Sequence, residues 1–177
     1  RLFSYLNTFY EKQIDGLLYT SNPIYPDYYK ELKRHRVPVV LVATHSMEFE
    51  LPSVKIDDEQ AAYDATRYLI ESGHRQIGMI SFDLGDSIAG QTRYQGYVRA
   101  LRESNIELKR DNIFFVSEYS HDPYDAAESL FRQTSGLTAV FAVSDVLAMG
   151  VLSYLNDKGV SVPQEVSVVG FDNIRLS

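Results

Sequence analysis

Two hydrophobic patterns take turns along the chain: apolar residues at helical spacing, then a short apolar run rich in β-branched residues. Leu2 to Lys12 predicts a helix leading into a strand over Gly16–Thr20. Pro26 opens a second helix to about Arg34, followed by the apolar run Val37–Val42. A short strand, Ser53–Ile56, meets Asp57, which can cap a helix over 58–72 with Gln60 in the third position of a capping-box-like arrangement. Gly73 supplies the left-handed residue that ends this helix, and Gln76–Ser81 is the next strand.

A polar loop over 83–90 leads into a helix over 91–104 with Tyr94, Tyr97, Val98 and Leu101 on one face. Ile113–Val116 reads as a strand. Asp122 and Pro123 supply an N-cap and a first-turn proline for a helix to Gln133, with Ala127, Leu130 and Phe131 facing inward. Leu137–Val143 is a strand, Asp145–Lys158 a helix stopped by Gly159, and Val166–Gly170 the last strand.

The runs Val37–Val42, Ala139–Val143 and Val166–Val169 are apolar throughout instead of alternating. Strands covered on both faces read this way, and regular strand–helix succession gives parallel sheets flanked by helices. The fold class is therefore α/β. One sheet of seven strands is possible, but the short strand at Pro52–Asp57 suggests a crossover between two lobes, residues 1–57 and 58–177.

A length of 177 residues accommodates two small lobes with their own cores. The net charge of −7 argues against a nucleic-acid surface within these residues, since phosphate binding needs clustered Lys and Arg. The basic run Lys30, Lys33, Arg34, His35, Arg36 sits at a helix end, where it complements the macrodipole. The chain contains no Cys, which excludes disulfides and thiolate chemistry and fits a reducing cytoplasm. No run approaches the roughly 18 apolar residues of a membrane span. The chain opens at Arg1 inside a helical stretch, so a piece of a longer protein is expected.

In open parallel sheets, ligands bind beyond the carboxyl ends of the strands. Those ends carry Ser21–Asn22, Thr44–His45–Ser46, Asp57–Asp58, Ser81 with Asp83, Glu118–Tyr119, Ser144–Asp145 and Asp172–Asn173. Carboxylates, amides and hydroxyls of this kind pair with polyol hydroxyls, and an Arg can donate to them. The same residue types also cap helices in any α/β protein, so they mark where a ligand would sit without identifying it. Glycine-rich phosphate loops, nucleophile elbows and zinc-binding His pairs are missing. No metal or cofactor is expected. His74, directly after Gly73, reads as structural, and Tyr119 at a strand end can stack on a sugar face.

Several segments carry a resemblance. Asp15-Gly16-Leu17-Leu18, Gly73-His74-Arg75, Arg93-Tyr94-Gln95-Gly96-Tyr97 with Ala100-Leu101, Ser144-Asp145 with Ala148-Met149-Gly150, and Val162-Pro163 before Val166 to Asp172 occur in order and at matching spacing. Together they resemble the effector-binding domain of LacI/GalR transcription regulators over nearly the whole chain. The resemblance implies a periplasmic-binding-protein-like fold of two Rossmann-like lobes, the first incomplete here, with the effector between them. It also implies a homodimer, operator DNA bound by a helix-turn-helix module absent from these residues, and no enzymatic activity. Carried over by motif, the effector contacts are Arg93, Ser144, Asp145 and Asp172, with Tyr119 as stacking ring. Ser144 stands where Asn is usual, shortening that hydrogen bond's reach. Ala43-Thr44 stands where many relatives carry a ligand-binding carboxylate.

Within the family, Pro52 to Tyr63 and Gly170 to Ser177 are similar to a global carbon regulator whose corepressor is the serine-phosphorylated phosphocarrier protein of the sugar phosphotransferase system. Arg93 is similar instead to sugar-reading repressors of the maltose type, with a sugar or sugar phosphate as effector. A secreted ribose-type sugar-binding protein of a transporter is the alternative on the same fold.

Overall fold

The computed structural model describes residues 2–20, 24–46, 48–85, 89–117 and 122–175. The chain divides into two compact units, residues 1–56 and 57–177. Asp57 belongs with the second unit because its carboxylate caps that unit's first helix, accepting from the Gln60 N–H at 3.0 Å.

In the first unit, α1 (Leu2–Glu11), β1 (Leu17–Tyr19), α2 (Pro26–His35), β2 (Val39–Val42) and β3 (Ser53–Val54) follow in order. The strands form a parallel sheet in the order β1-β2-β3. Leu6, Tyr19, Ile24, Leu32, Val39 and Leu41 make its core. Pro26 starts α2 because a first-turn proline loses no helical hydrogen bond, and Arg36 ends it in the left-handed region at φ 55°.

The second unit runs α3 (Asp58–Glu71), β4 (Ile77–Phe82), α4 (Gln91–Glu103), β5 (Ile113–Val116), α5 (Pro123–Gln133), β6 (Ala139–Ala142), α6 (Asp145–Asp157) and β7 (Ser167–Val169). Its parallel sheet has the order β5-β4-β6-β7, so two sheets replace the single seven-stranded one that the apolar runs also allowed. β4 and β6 are buried almost throughout, which explains their lack of alternation. The core takes in Met79, Ile80, Tyr97, Leu130, Phe141 and Val151, and Phe131 packs at its edge, less buried than Ala126 and Ala127.

Close helix contacts depend on two glycines. A Cβ on Gly96 would lie 2.2 Å from the Glu59 carbonyl oxygen, so its absence lets α4 meet α3 backbone to backbone. Gly150 does the same for α6, where a Cβ would stand 2.3 Å from the Pro123 carbonyl carbon. The capping-box expectation is half met. Asp57 caps α3, but the Gln60 side chain does not return to it; it donates to Asp64 and accepts from Arg99. His74 is structural, its ring nitrogens 3.0 Å from the hydroxyls of Thr138 and Ser167.

This sheet order positions a site. From β4 the chain crosses to β5 on one side, and from β6 to β7 on the other. The crossovers therefore diverge between β4 and β6, which leaves a crevice beyond their carboxyl ends.

Candidate functional site

At that edge lies a cavity of about 410 Å³. Phe82 from the end of β4, Val116 from β5, Pro123 from α5, and Val146 and Leu147 from α6 give it apolar walls. Arg93, Ser117, Ser144 and Asp172 supply the polar groups. Val146, in the first turn of α6, is 52% exposed and presents an apolar surface to the cavity.

Arg93 sits in the first turn of α4 and is 8% exposed. A buried guanidinium needs acceptors, because an unpaired buried charge is costly. Asp58 in the first turn of α3, itself 5% exposed, is the main one: Nε and Nη2 each lie 2.9 Å from its Oδ1. Nη1 donates to the Val143 carbonyl and lies 3.5 Å from Asp172 Oδ1. The guanidinium also stacks 3.6 Å above the Phe171 ring. One side chain thus ties together the start of α3, the end of β6 and the segment after β7.

Asp172 has φ 106° and Asn173 φ 54°, two successive residues in the left-handed region without glycine. Such backbone costs of order 1–3 kcal/mol per residue and concentrates where a side chain must be aimed. The Asp172 side chain remains 42% exposed. Burial pushes its carboxyl above the usual carboxylate value; Arg93 pulls it down, while Asp145 and Asp58 add like charge. Asp58 and Asp172 therefore share one guanidinium, with Asp145 acting on Asp172 as a like charge.

Among the expected contacts, Arg93, Ser144 and Asp172 come together at the cavity. Ser144 also caps α6, its Oγ accepting from the Leu147 N–H at 3.3 Å. Asp145 is buried but is not among the lining residues; its Oδ2 accepts from the Ile174 N–H at 2.8 Å and so holds the segment that carries Asp172. Tyr119 lies outside the described residues, as do Ser21, Asn22 and Glu118. Ser81 is fully buried, with its hydroxyl 3.5 Å from the Gly90 carbonyl. In the first unit, the buried Thr44 hydroxyl after β2 has no protein partner among the described residues.

Two participants escaped the sequence. Asp58 was visible only as one strand-end carboxylate among several, and Phe171 only as part of a motif.

Residues 2–176 match the family model described as periplasmic binding proteins and sugar binding domain of LacI family. The chain belongs to this family. It is 39% identical over 173 residues to catabolite control protein A of Priestia megaterium, covering 97% of this chain and 52% of that protein. Among solved structures, the transcription regulator CcpA of Lactococcus lactis superposes with a TM-score of 0.82 at 37% identity, over 96% of this chain and 62% of that one. The complex of the regulator CelR with cellobiose superposes with a TM-score of 0.83 at 28% identity, over 96% of this chain and 52% of that one. The chain spans about half the length of the curated relatives it matches. Its two units are the kind of parallel, helix-flanked sheets that this LacI-type family builds.

Proposed function

We propose that this chain is the effector-sensing part of a LacI-type transcription regulator of carbohydrate-use genes, acting in the cytoplasm as a homodimer. Residues 1–56 form part of the N-terminal lobe and residues 57–177 the C-terminal lobe. Operator DNA is bound by a helix-turn-helix module outside these residues, and the chain catalyses no reaction. The observation that carries this reading is the strand-end cavity of the second unit, where apolar walls surround Arg93, Ser144 and Asp172.

In this reading a sugar lays its apolar face on Val116, Pro123 and Val146 while its hydroxyls donate to Asp172 and Ser144. Asp145 acts indirectly, by holding the segment of Asp172 through Ile174. Tyr119 is the proposed stacking ring. The regulators among the relatives favour this over a transporter's binding protein, and the complex of CelR with cellobiose supports a sugar as the class of effector.

One observation favours a second reading of the corepressor. If a serine-phosphorylated phosphocarrier protein docks on the outside of the domain, Arg93 needs an internal carboxylate, and Asp58 is one. Operator titrations of the full-length regulator separate the two. Under the first reading, a sugar changes operator affinity and Asp172→Asn weakens the response. Under the second, only the phosphoprotein changes it, and Asp172→Asn leaves that effect intact.

A further inference from the structure

We infer that Phe171 is a positioning residue: together with Asp145 it holds residues 170–174 as a strained strap that aims Asp172 into the cavity. The inference deepens the effector-site reading, and its ligand half rests on that reading.

The strap is held against two costs. Asp172 at φ 106° and Asn173 at φ 54° occupy backbone conformations that residues with a Cβ rarely adopt. The buried Asp145 carboxylate also acts on Asp172 as a like charge. A segment under such strain persists only where its surroundings over-determine its path.

The ion pair of Asp172 with Arg93 is too weak for that hold. Its atoms are 3.5 Å apart, the carboxylate is 42% exposed, and the guanidinium is committed first to Asp58 at 2.9 Å. A pair this open to solvent contributes little.

Stronger contacts lie on either side of it. Gly170 passes so close to Asp145 that a Cβ there would strike its Oδ1. The Asp145 N–H donates to the Phe171 carbonyl at 2.7 Å, and its Oδ2 accepts from the Ile174 N–H at 2.8 Å. Asp145 thus grips the strap before and after the two strained residues. The Phe171 ring centre lies 3.6 Å from the Arg93 guanidinium, which Asp58 and the Val143 carbonyl fix in place. Stacking on a cation counts for most where that cation is desolvated. Phe171 does not line the cavity, so its effect on a ligand passes through Asp172.

Hydrogen exchange on the full-length protein without ligand tests the strap, with a peptide over β6 reporting global opening. Relative to that peptide, Phe171→Leu and Asp145→Ala should each speed exchange over 171–175 by about tenfold or more. Phe171→Tyr, which keeps the ring, and Asp172→Asn should stay within about threefold of wild type. Wild-type exchange in Phe171→Leu, or equal loosening by Asp172→Asn, would overturn the strap. Calorimetry with cellobiose, maltose and glucose tests the aim. Phe171→Leu should weaken the sugar that the wild type binds by about tenfold, Phe171→Tyr should restore it, and Phe171→Leu should add nothing to Asp172→Ala. No loss in Phe171→Leu, or one that adds in full to that of Asp172→Ala, would overturn the positioning role. If no sugar binds the wild type, the effector-site reading falls, while the exchange arm still decides the strap.

Discussion

Asp58 and Arg93, 35 residues apart in sequence, form a buried ion pair in which two guanidinium nitrogens converge on one carboxylate oxygen at 2.9 Å. The pair joins the first turns of α3 and α4 at the edge where the cavity opens. Its geometry makes Asp58 the residue that fixes Arg93, while Asp172, the other carboxylate near the guanidinium, stays 42% exposed.

Removing Asp58 strands a buried guanidinium. Asp58→Ala should destabilise the protein by about 3–5 kcal/mol. Asp58→Asn keeps one acceptor and should cost less, about 1–3 kcal/mol. Urea unfolding followed by circular dichroism measures both, and a wild-type midpoint for Asp58→Ala would show that the pair is not formed.

Glycine positions make a second, independent set. A methyl at Gly96 or Gly150 meets backbone atoms that cannot move aside without separating two helices. Gly96→Ala and Gly150→Ala should each cost about 1–3 kcal/mol by overpacking. Gly85→Ala, with nothing within 4 Å of the added Cβ, should be close to neutral. Equal thermal midpoints for all three would contradict the close packing of these helices.

The order of elements and most of their ends were legible in the sequence, because α2, α3, α5 and α6 carry their own stop or start: Pro26, Asp57, Gly73, Pro123, Gly159. Of the three runs read as covered on both faces, β6 is buried throughout, while β2 alternates buried with half-buried residues and β7 is half-buried; β4, buried almost throughout, was not among them. The Asp58–Arg93 pair was not legible. It depends on α3 and α4 meeting at Gly96, a tertiary event that no window of one element contains. The same holds for Phe171, whose stacking on Arg93 follows from the path of the chain after β7. Ser144 was legible as a cap, which the structure shows on α6, and it also lines the cavity, where its contact with an effector is part of the proposed reading.

Asp172 gives the site a pH dependence. Its folded-state carboxyl lies above the ordinary value of 3.8, so the folded state binds the proton more tightly than the unfolded chain. Ionised Asp172 therefore works against folding at neutral pH, and its contribution improves as pH falls through the raised value towards 3.8. Ligand affinity should run the other way, declining over that same interval as the hydrogen-bond acceptor is protonated. Calorimetric titrations across pH 4 to 7 check this, and Asp172→Asn should flatten the profile.

DNA binding should be absent from this chain taken alone. Its net charge of −7 repels the phosphate backbone, and the basic run at the end of α2 is confined to one helix terminus. Electrophoretic retardation of family-type operator fragments should show no shift. A salt-sensitive shift specific to the operator would place a DNA-reading surface inside these residues.

In the proposed reading the strand-end cavity of residues 57–177 holds the effector through Asp172. Calorimetric titration of the full-length regulator with cellobiose, maltose and glucose checks this, comparing wild type with a folded Asp172→Ala variant. The sugar bound by the wild type should lose about 1.5–3 kcal/mol of affinity in the variant, the worth of a hydrogen bond to a charged group. Unchanged affinity in the folded variant would rule out this role for Asp172.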